Sequence, residues 1–193
     1  MISLTKNQSV SLSKESSSLS QLQFGLGWDP IKKKGFLSGL LGGSGAIDLD
    51  AGCVLLGSAG NKIDTIWFRK LQSSCGSVIH SGDNLTGEGD GDDEVINVNL
   101  SKLSGNVEYL VFTVNSFRGQ TFNDVDNAFC RVVDQSGKEL ARYKLTEQGS
   151  HTGIVIASLR RNNGNWDFTA HGHACRGRTI DDMHPDIVAT VVR

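Results

Sequence analysis

From Asp83 to Glu94 the chain reads Asp-Asn-Leu-Thr-Gly-Glu-Gly-Asp-Gly-Asp-Asp-Glu, six carboxylates in twelve residues with no Lys, Arg or His among them. Two carboxylates about 6 Å apart repel by roughly 3 kcal/mol at an effective dielectric of about 20, so a compact loop needs a cation to hold this run together. The run either stays open to solvent or folds around a metal. Solvated acidic runs lack glycines such as Gly87, Gly89 and Gly91, which let a backbone turn tightly and aim its carbonyls inward. A metal-binding loop is therefore expected.

The ligand types select the metal. The run offers carboxylate, amide, hydroxyl and backbone oxygens and no thiolate or imidazole, and hard oxygen donors favour calcium, magnesium or manganese over zinc or copper. Magnesium keeps its waters and commonly uses one or two carboxylates, whereas calcium takes about six to eight oxygens in a tolerant geometry, so the crowding points to calcium. Two known loops are excluded. Counted from Asp83, Leu85 and Gly87 stand where an EF-hand needs Asp or Asn, and Glu88 stands where it needs glycine. The tandem nonapeptide of calcium β-helices would have to repeat, and this run occurs once.

The remainder of the 193 residues predicts an all-β chain, an antiparallel β-sandwich with long acidic metal-binding loops and at most one or two short helices, read as a single domain spanning residues 1–193. Leu22, Phe24, Leu26 and Trp28 alternate with polar or small residues as a half-buried strand does, and so, more briefly, do Val10 and Leu12. In the stretch 47–57, Ile47, Leu49, Ala51, Cys53 and Leu55 face one way and leave Asp48 and Asp50 side by side on the other face, where the pair can share a cation with the acidic loop. Stretches 63–69, 96–100, 108–115, 128–134, 139–145, 153–160 and 166–170 read as further strands, two of them apolar on both faces as central strands are. Residues 122–126 read as one helical turn. Residues 31–45 form a loop insertion with three lysines beside Phe36, Leu37, Leu40 and Leu41, a contact surface for a membrane or partner in its sharper reading. Residues 175–193 form a C-terminal extension without an assigned role.

The same residues admit competing chemistries. An Asp-x-Asp such as Asp48 and Asp50 also opens the motif of aspartyl-phosphate enzymes, which makes a divalent-metal-dependent phosphoryl-transfer enzyme the alternative function. That chemistry needs a doubly wound sheet and Thr or Val where this chain has Gly52. His171, His173 and Cys175 would share a strand face opposite Trp166, Phe168 and Ala170 and offer soft metal ligands, but Gly172 and Gly177 suggest that the strand ends there. His80 and His184 read as surface or loop residues, and spacing assembles neither a Ser-His-Asp set nor a phosphate loop. Cys53, Cys75, Cys130 and Cys175 lie far apart with no CxxC pair, as reduced structural thiols do. A net charge of −2 gives no nucleic-acid signal, and Met1–Gln8 lacks a continuous apolar core, so a cytoplasmic chain is expected.

The stretches Val10-Ser-Leu-Ser-Lys14, Gly25-Leu-Gly-Trp-Asp29, Ile47-Asp-Leu-Asp-Ala51, Phe112–Gln120, Asn127-Ala-Phe129, Ala141-Arg-Tyr143 and above all Gly82–Glu94 resemble the TerD family of bacterial tellurium-resistance and stress proteins. The likeness covers nearly the whole chain, and the insertion at 31–45 is most similar to the TerZ branch. The resemblance implies a non-enzymatic calcium-binding β-sandwich of the tellurite-resistance and stress-response system, acting as a calcium-dependent interaction module or scaffold. It implies calcium ligation, with more than one ion, by Asp29, Asp48, Asp50, Asp83, Asn84, Glu88, Asp90, Asp92, Asp93 and Glu94. The implied partners are other proteins of the tellurium-resistance system, with a peripheral contact at the inner membrane surface and no nucleic acid. Neutralising Asp48 or Asp92 is expected to weaken calcium binding and to relieve repulsion in the metal-free chain.

Overall fold

The computed structural model describes residues 1–16, 18–30, 48–82, 91–116, 118–146 and 148–192; the 31–45 insertion and Asp83, Asn84, Glu88 and Asp90 lie outside them. The strands are β1 (Ile2–Leu4), β2 (Ser9–Ser11), β3 (Gln21–Pro30), β4 (Asp50–Leu56), β5 (Lys62–Ile66), β6 (Val78–His80), β7 (Glu94–Asn99), β8 (Tyr109–Asn115), β9 (Val125–Asp134), β10 (Glu139–Lys144), β11 (Gly153–Asn162) and β12 (Asn165–Cys175). They form two sheets, ordered β1-β10-β9-β3-β7-β6 and β2-β12-β11-β8-β4-β5. Pairing is antiparallel except between β1 and β10, which run parallel. Among the described residues two α-helices accompany them, α1 (Leu12–Glu15) and α2 (His184–Val191), so Leu12 opens a helical turn where alternation with Val10 suggests strand. A 3-10 turn at Phe122–Asp124 matches the helical turn expected there.

Apolar alternation explains how the sheets meet. Leu22, Phe24, Leu26 and Trp28 of β3 and Ala51, Cys53 and Leu55 of β4 all enter one core between the sheets. At its centre Phe24 stacks on Phe112 of β8, ring centroids 4.0 Å apart. Cys53 and Cys130 are free thiols buried in this core, and burial pushes both well above the usual thiol range.

The second sheet is also covered on its outer face. Val54 and Leu56 of β4, Tyr109 and Val111 of β8, Val155 of β11 and Cys175 of β12 pack against Ile180, Met183, Ile187 and Val191. This accounts for β8 being apolar on both faces, and it gives the 175–193 extension a structural role. Pro185 in the first turn and Asp186 at the positive end suit a helix start, and Ile187 and Val191 fall four apart on its buried stripe. The outer face of the first sheet is instead polar. Arg131 Nη1 on β9 donates to Glu139 Oε2 at 3.2 Å, Arg142 holds both Glu139 oxygens at 2.7 and 2.8 Å, and the Arg142 guanidinium lies 4.5 Å from the Phe129 ring centre. No helix among the described residues is long and apolar enough to cross a membrane.

Two outcomes are expected. Ile187→Ala should lower unfolding free energy in urea by about 2–5 kcal/mol, because it empties a buried site under α2. The second concerns acid. Hydrogen bonds and charge from Arg142, then Arg131, hold the Glu139 carboxyl below the usual range. Its stabilising contribution is complete above the free glutamate value of about 4.3 and is lost as pH falls through the depressed folded value. The gap in urea midpoint between the native chain and Glu139→Gln should therefore be present at neutral pH and close in acid.

Candidate metal centre

The described candidates gather at one end of the sandwich, in two groups. Asp50 starts β4 beside Asn115 at the end of β8, both buried, with Asp48 two residues earlier. The Asp48 backbone N–H donates to Gln120 Oε1 at 3.0 Å, and Arg118 Nε approaches Asp48 Oδ2 at 2.8 Å. Asn115 Nδ2 in turn donates to the Arg178 carbonyl at 3.0 Å, tying this rim to the segment that leads into α2. Because Ala51, Cys53 and Leu55 face the inter-sheet core, Asp50 shares the outer face with Val54 and Leu56, as the alternation predicted.

The other group belongs to the first sheet. Asp93 docks on β3 through its backbone N–H to the Leu26 carbonyl and by accepting the Trp28 N–H at Oδ2, each at 2.8 Å. Burial pushes the Asp93 carboxyl up; the Trp28 hydrogen bond opposes this, while the charges of Asp29, Glu94 and Asp92 push it further up. Asp29 is exposed near the end of β3, paired in register with Asp126, and its Oδ2 accepts from Asn127 Nδ2 at 3.0 Å. Asp92 lies over the outer face of the same sheet. Arg131 Nε donates to its Oδ1 at 2.8 Å and Nη2 to its Oδ2 at 3.0 Å, a two-pronged ion pair. This placement depends on glycine: a methyl group at Gly25 would overlap the Asp92 carboxylate, and one at Gly27 would meet the Gly91 carbonyl.

Glu94 joins the two groups. It starts β7 fully buried, and its Oε2 accepts the Ala51 N–H of β4 in the opposite sheet at 2.6 Å. His80 is packed against the same oxygen at 3.4 Å. The Gly82 N–H donates to His80 Nδ1 at 3.1 Å, which leaves the ring proton on Nε2, 3.1 Å from the Ala51 carbonyl. His80 is thus a buried linker and not the surface residue its isolation in sequence suggested. Its signal was parity, since Val78 and His80 face inward while Ile79 is exposed. Arg118, Asn115, Gln120 and Arg131 were also missed; the first three lie in the motif stretch 112–120, and Arg131 stands as a charge within the apolar run 128–133.

Among the described residues no three His, Cys, Asp or Glu side chains form a ligand set by themselves. The donors available to a metal here are nevertheless all oxygens at the carboxylates of Asp29, Asp48, Asp50, Asp92, Asp93 and Glu94, and the glycine cradle at Gly25 and Gly27 carries the end of the acidic run onto the sheet. That chemistry fits a hard cation such as calcium. The soft set fares differently. β12 runs on to Cys175 instead of ending at Gly172; His171 Nε2 meets Ser158 Oγ at 2.8 Å, His173 is exposed, and Cys175 sits under α2 with its thiol pushed up to about 12, chiefly by burial. His184 opens α2 half-buried.

Comparison with known proteins places this architecture. The chain is 82% identical over all 193 residues to the tellurium resistance protein TerZ of Serratia marcescens, each chain covered in full. It is 43% identical to the stress response protein SCP2 of Bacillus subtilis, across 94% of this chain and 96% of that one. A crystal structure of a homologue of the telluride resistance protein TerD from Streptomyces coelicolor has the same fold, with a TM-score of 0.68 and 21% identity over 86% of this chain and 96% of that one. The model of the TerD domain matches residues 1–184, and on these grounds the chain belongs to the TerD family of tellurium-resistance and stress-response proteins.

Proposed function

We propose that the protein is a non-enzymatic calcium-binding module of the tellurium-resistance and stress-response system, whose interaction surface depends on the metal. The observation that carries this reading is the Glu94–Ala51 contact, which brings the end of the acidic run, with Asp92 and Asp93, against the start of β4 with Asp50 and the preceding Asp48; the upward push on the Asp93 carboxyl by burial and the surrounding carboxylates is in keeping with it. Calcium would supply the positive charge that such a cluster needs. Asp29, Asp92, Asp93 and Glu94 on one sheet and Asp48 and Asp50 on the other offer oxygens from the described residues, and Asp83, Asn84, Glu88 and Asp90 complete the proposed ligands. More than one ion suits this number of donors. Asp93 holds the run to β3 and Glu94 holds β7 to β4, so occupancy bears on both sheets through backbone contacts already in place.

The names of the relatives describe resistance and stress response and no catalytic activity, in keeping with a binding role. The phosphoryl-transfer alternative at Asp48 and Asp50 lacks its scaffold, because these aspartates sit in an all-β sandwich and not in a doubly wound sheet with helices between strands. The partners proposed are other proteins of the tellurium-resistance system, met in the cytoplasm, with the 31–45 segment as the part that would touch the inner membrane surface.

The test is thermal melting of the chelator-stripped chain with added calcium or magnesium. Calcium should raise the midpoint progressively, worth about 2.7 kcal/mol at a hundredfold excess over the dissociation constant, and chelator should reverse it. A midpoint indifferent to calcium overturns the reading. The geometry also revises which substitution relieves repulsion. Asp48→Asn and Asp92→Asn give up arginine ion pairs, whereas Asn at position 93 keeps an acceptor for Trp28 and removes a strained charge. Asp93→Asn should therefore raise the metal-free melting midpoint and shrink the calcium-induced shift, both read from the same melts.

A further inference from the structure

Each of the two carboxylate groups contains one member paired with an arginine from a neighbouring strand or loop: Asp92 with Arg131, and Asp48 with Arg118. The first pair is the more constrained. Arg131 uses Nε and Nη2 on Asp92 and Nη1 on Glu139, while Glu139 is held at both oxygens by Arg142. Glu139 is thus held chiefly by Arg142, and most of the contact Arg131 makes is with Asp92. A guanidinium does not deprotonate in a protein, so this positive charge stays beside Asp92 at any physiological pH. Gly25 fixes the approach by leaving room for the Asp92 carboxylate against the sheet.

We propose that Arg131 is a resident counter-cation that a divalent metal must displace or outweigh at Asp92, with Arg118 playing the lesser counterpart at Asp48, so that the two arginines set how much calcium is needed to load the site. The inference rests on the calcium reading above and adds its regulation. A dication on Asp92 is brought against a full positive charge in a partly buried place, where solvent screens it incompletely. The Arg118 side chain is 59% exposed, so its opposition is weaker and more easily screened by salt. The opposite role for Arg131 is positioning, in which the two-pronged grip orients Asp92 for the metal and raises affinity. Lysine separates the two, because it keeps the charge and loses the fork.

Calorimetric titration of the full chain, stripped with chelator and then given calcium chloride, decides between them. Arg131→Gln should bind calcium several-fold more tightly than the native chain, and Arg131→Lys should stay near the native affinity. In melts, Arg131→Gln should lower the metal-free midpoint and widen the gap to the calcium-loaded one. Arg118 is exposed enough for Arg118→Gln to fold in any case; it should show a smaller gain at low salt that fades in 0.5 M salt. Weakened binding in both Arg131→Gln and Arg131→Lys overturns the proposal in favour of positioning. Unchanged affinity in Arg131→Gln, or in Arg118→Gln at low salt where Arg131→Gln does not fold, overturns it as well. A native chain that takes up no calcium is a separate result, which removes the calcium reading itself and leaves every variant equally silent.

Discussion

The buried carboxylate of Glu94 is the point on which the architecture turns. It starts β7 in one sheet and accepts the Ala51 N–H at the start of β4 in the other, with the proton-bearing nitrogen of His80 packed against it. A charged group so far from water is tolerated only with partners of its own, and here they come from both sheets. One end of the sandwich is therefore closed by polar contacts, while the middle is closed by Phe24 on Phe112. The acidic run enters the fold through this closure, so its chemistry and the packing of the sheets meet in the same few residues.

The two outer faces solve different problems. The second sheet presents Val54, Leu56, Tyr109, Val111 and Val155, too much apolar surface for water, and α2 covers it. The first presents Arg131, Glu139 and Arg142, an alternating row of charges that neutralise one another and need no cover. The acidic run leans on both solutions. Asp92 extends the row of charges on the first sheet, and Asp50 lies on the face that α2 shares, where Asn115 bonds the Arg178 carbonyl.

Most strands were legible because burial on one face leaves period-two alternation, as in Leu22, Phe24, Leu26 and Trp28, or burial on both faces leaves an apolar run, as in β8. The sandwich and the family followed from those runs and from the motifs. The short edge strand β1 was illegible because its three residues carry no period. Helix α2 was overlooked although Ile180, Met183, Ile187 and Val191 recur at three and four, since the stripe is apolar only in relation to a sheet face that looked like interior. At the candidate metal centre, the acidic residues stand out in the sequence, but the partners they meet in the fold do not. Arg131 is 39 residues from Asp92 and Glu94 is 43 from Ala51, and only the strand order brings them together.

Asp92 and Asp93 are adjacent in sequence and opposite in electrostatic circumstance, and the difference explains why counting charges overstates the strain of such a run. Asp93 docks against β3, where burial and the charges of Asp29, Glu94 and Asp92 work against its ionised form. Asp92 crosses Gly25 to the outer face, where Arg131 meets both its oxygens. Alternation along one short stretch of backbone thus sends one carboxylate toward its own kind and its neighbour toward a cation. The free energy that a metal bound as proposed would gain by relieving repulsion is concentrated at positions such as Asp93, and at Asp92 it would be offset by the ion pair already made. On the proposed calcium reading, the affinity of the site would be a difference between these two terms, set by arginines outside the acidic run as much as by the carboxylates within it.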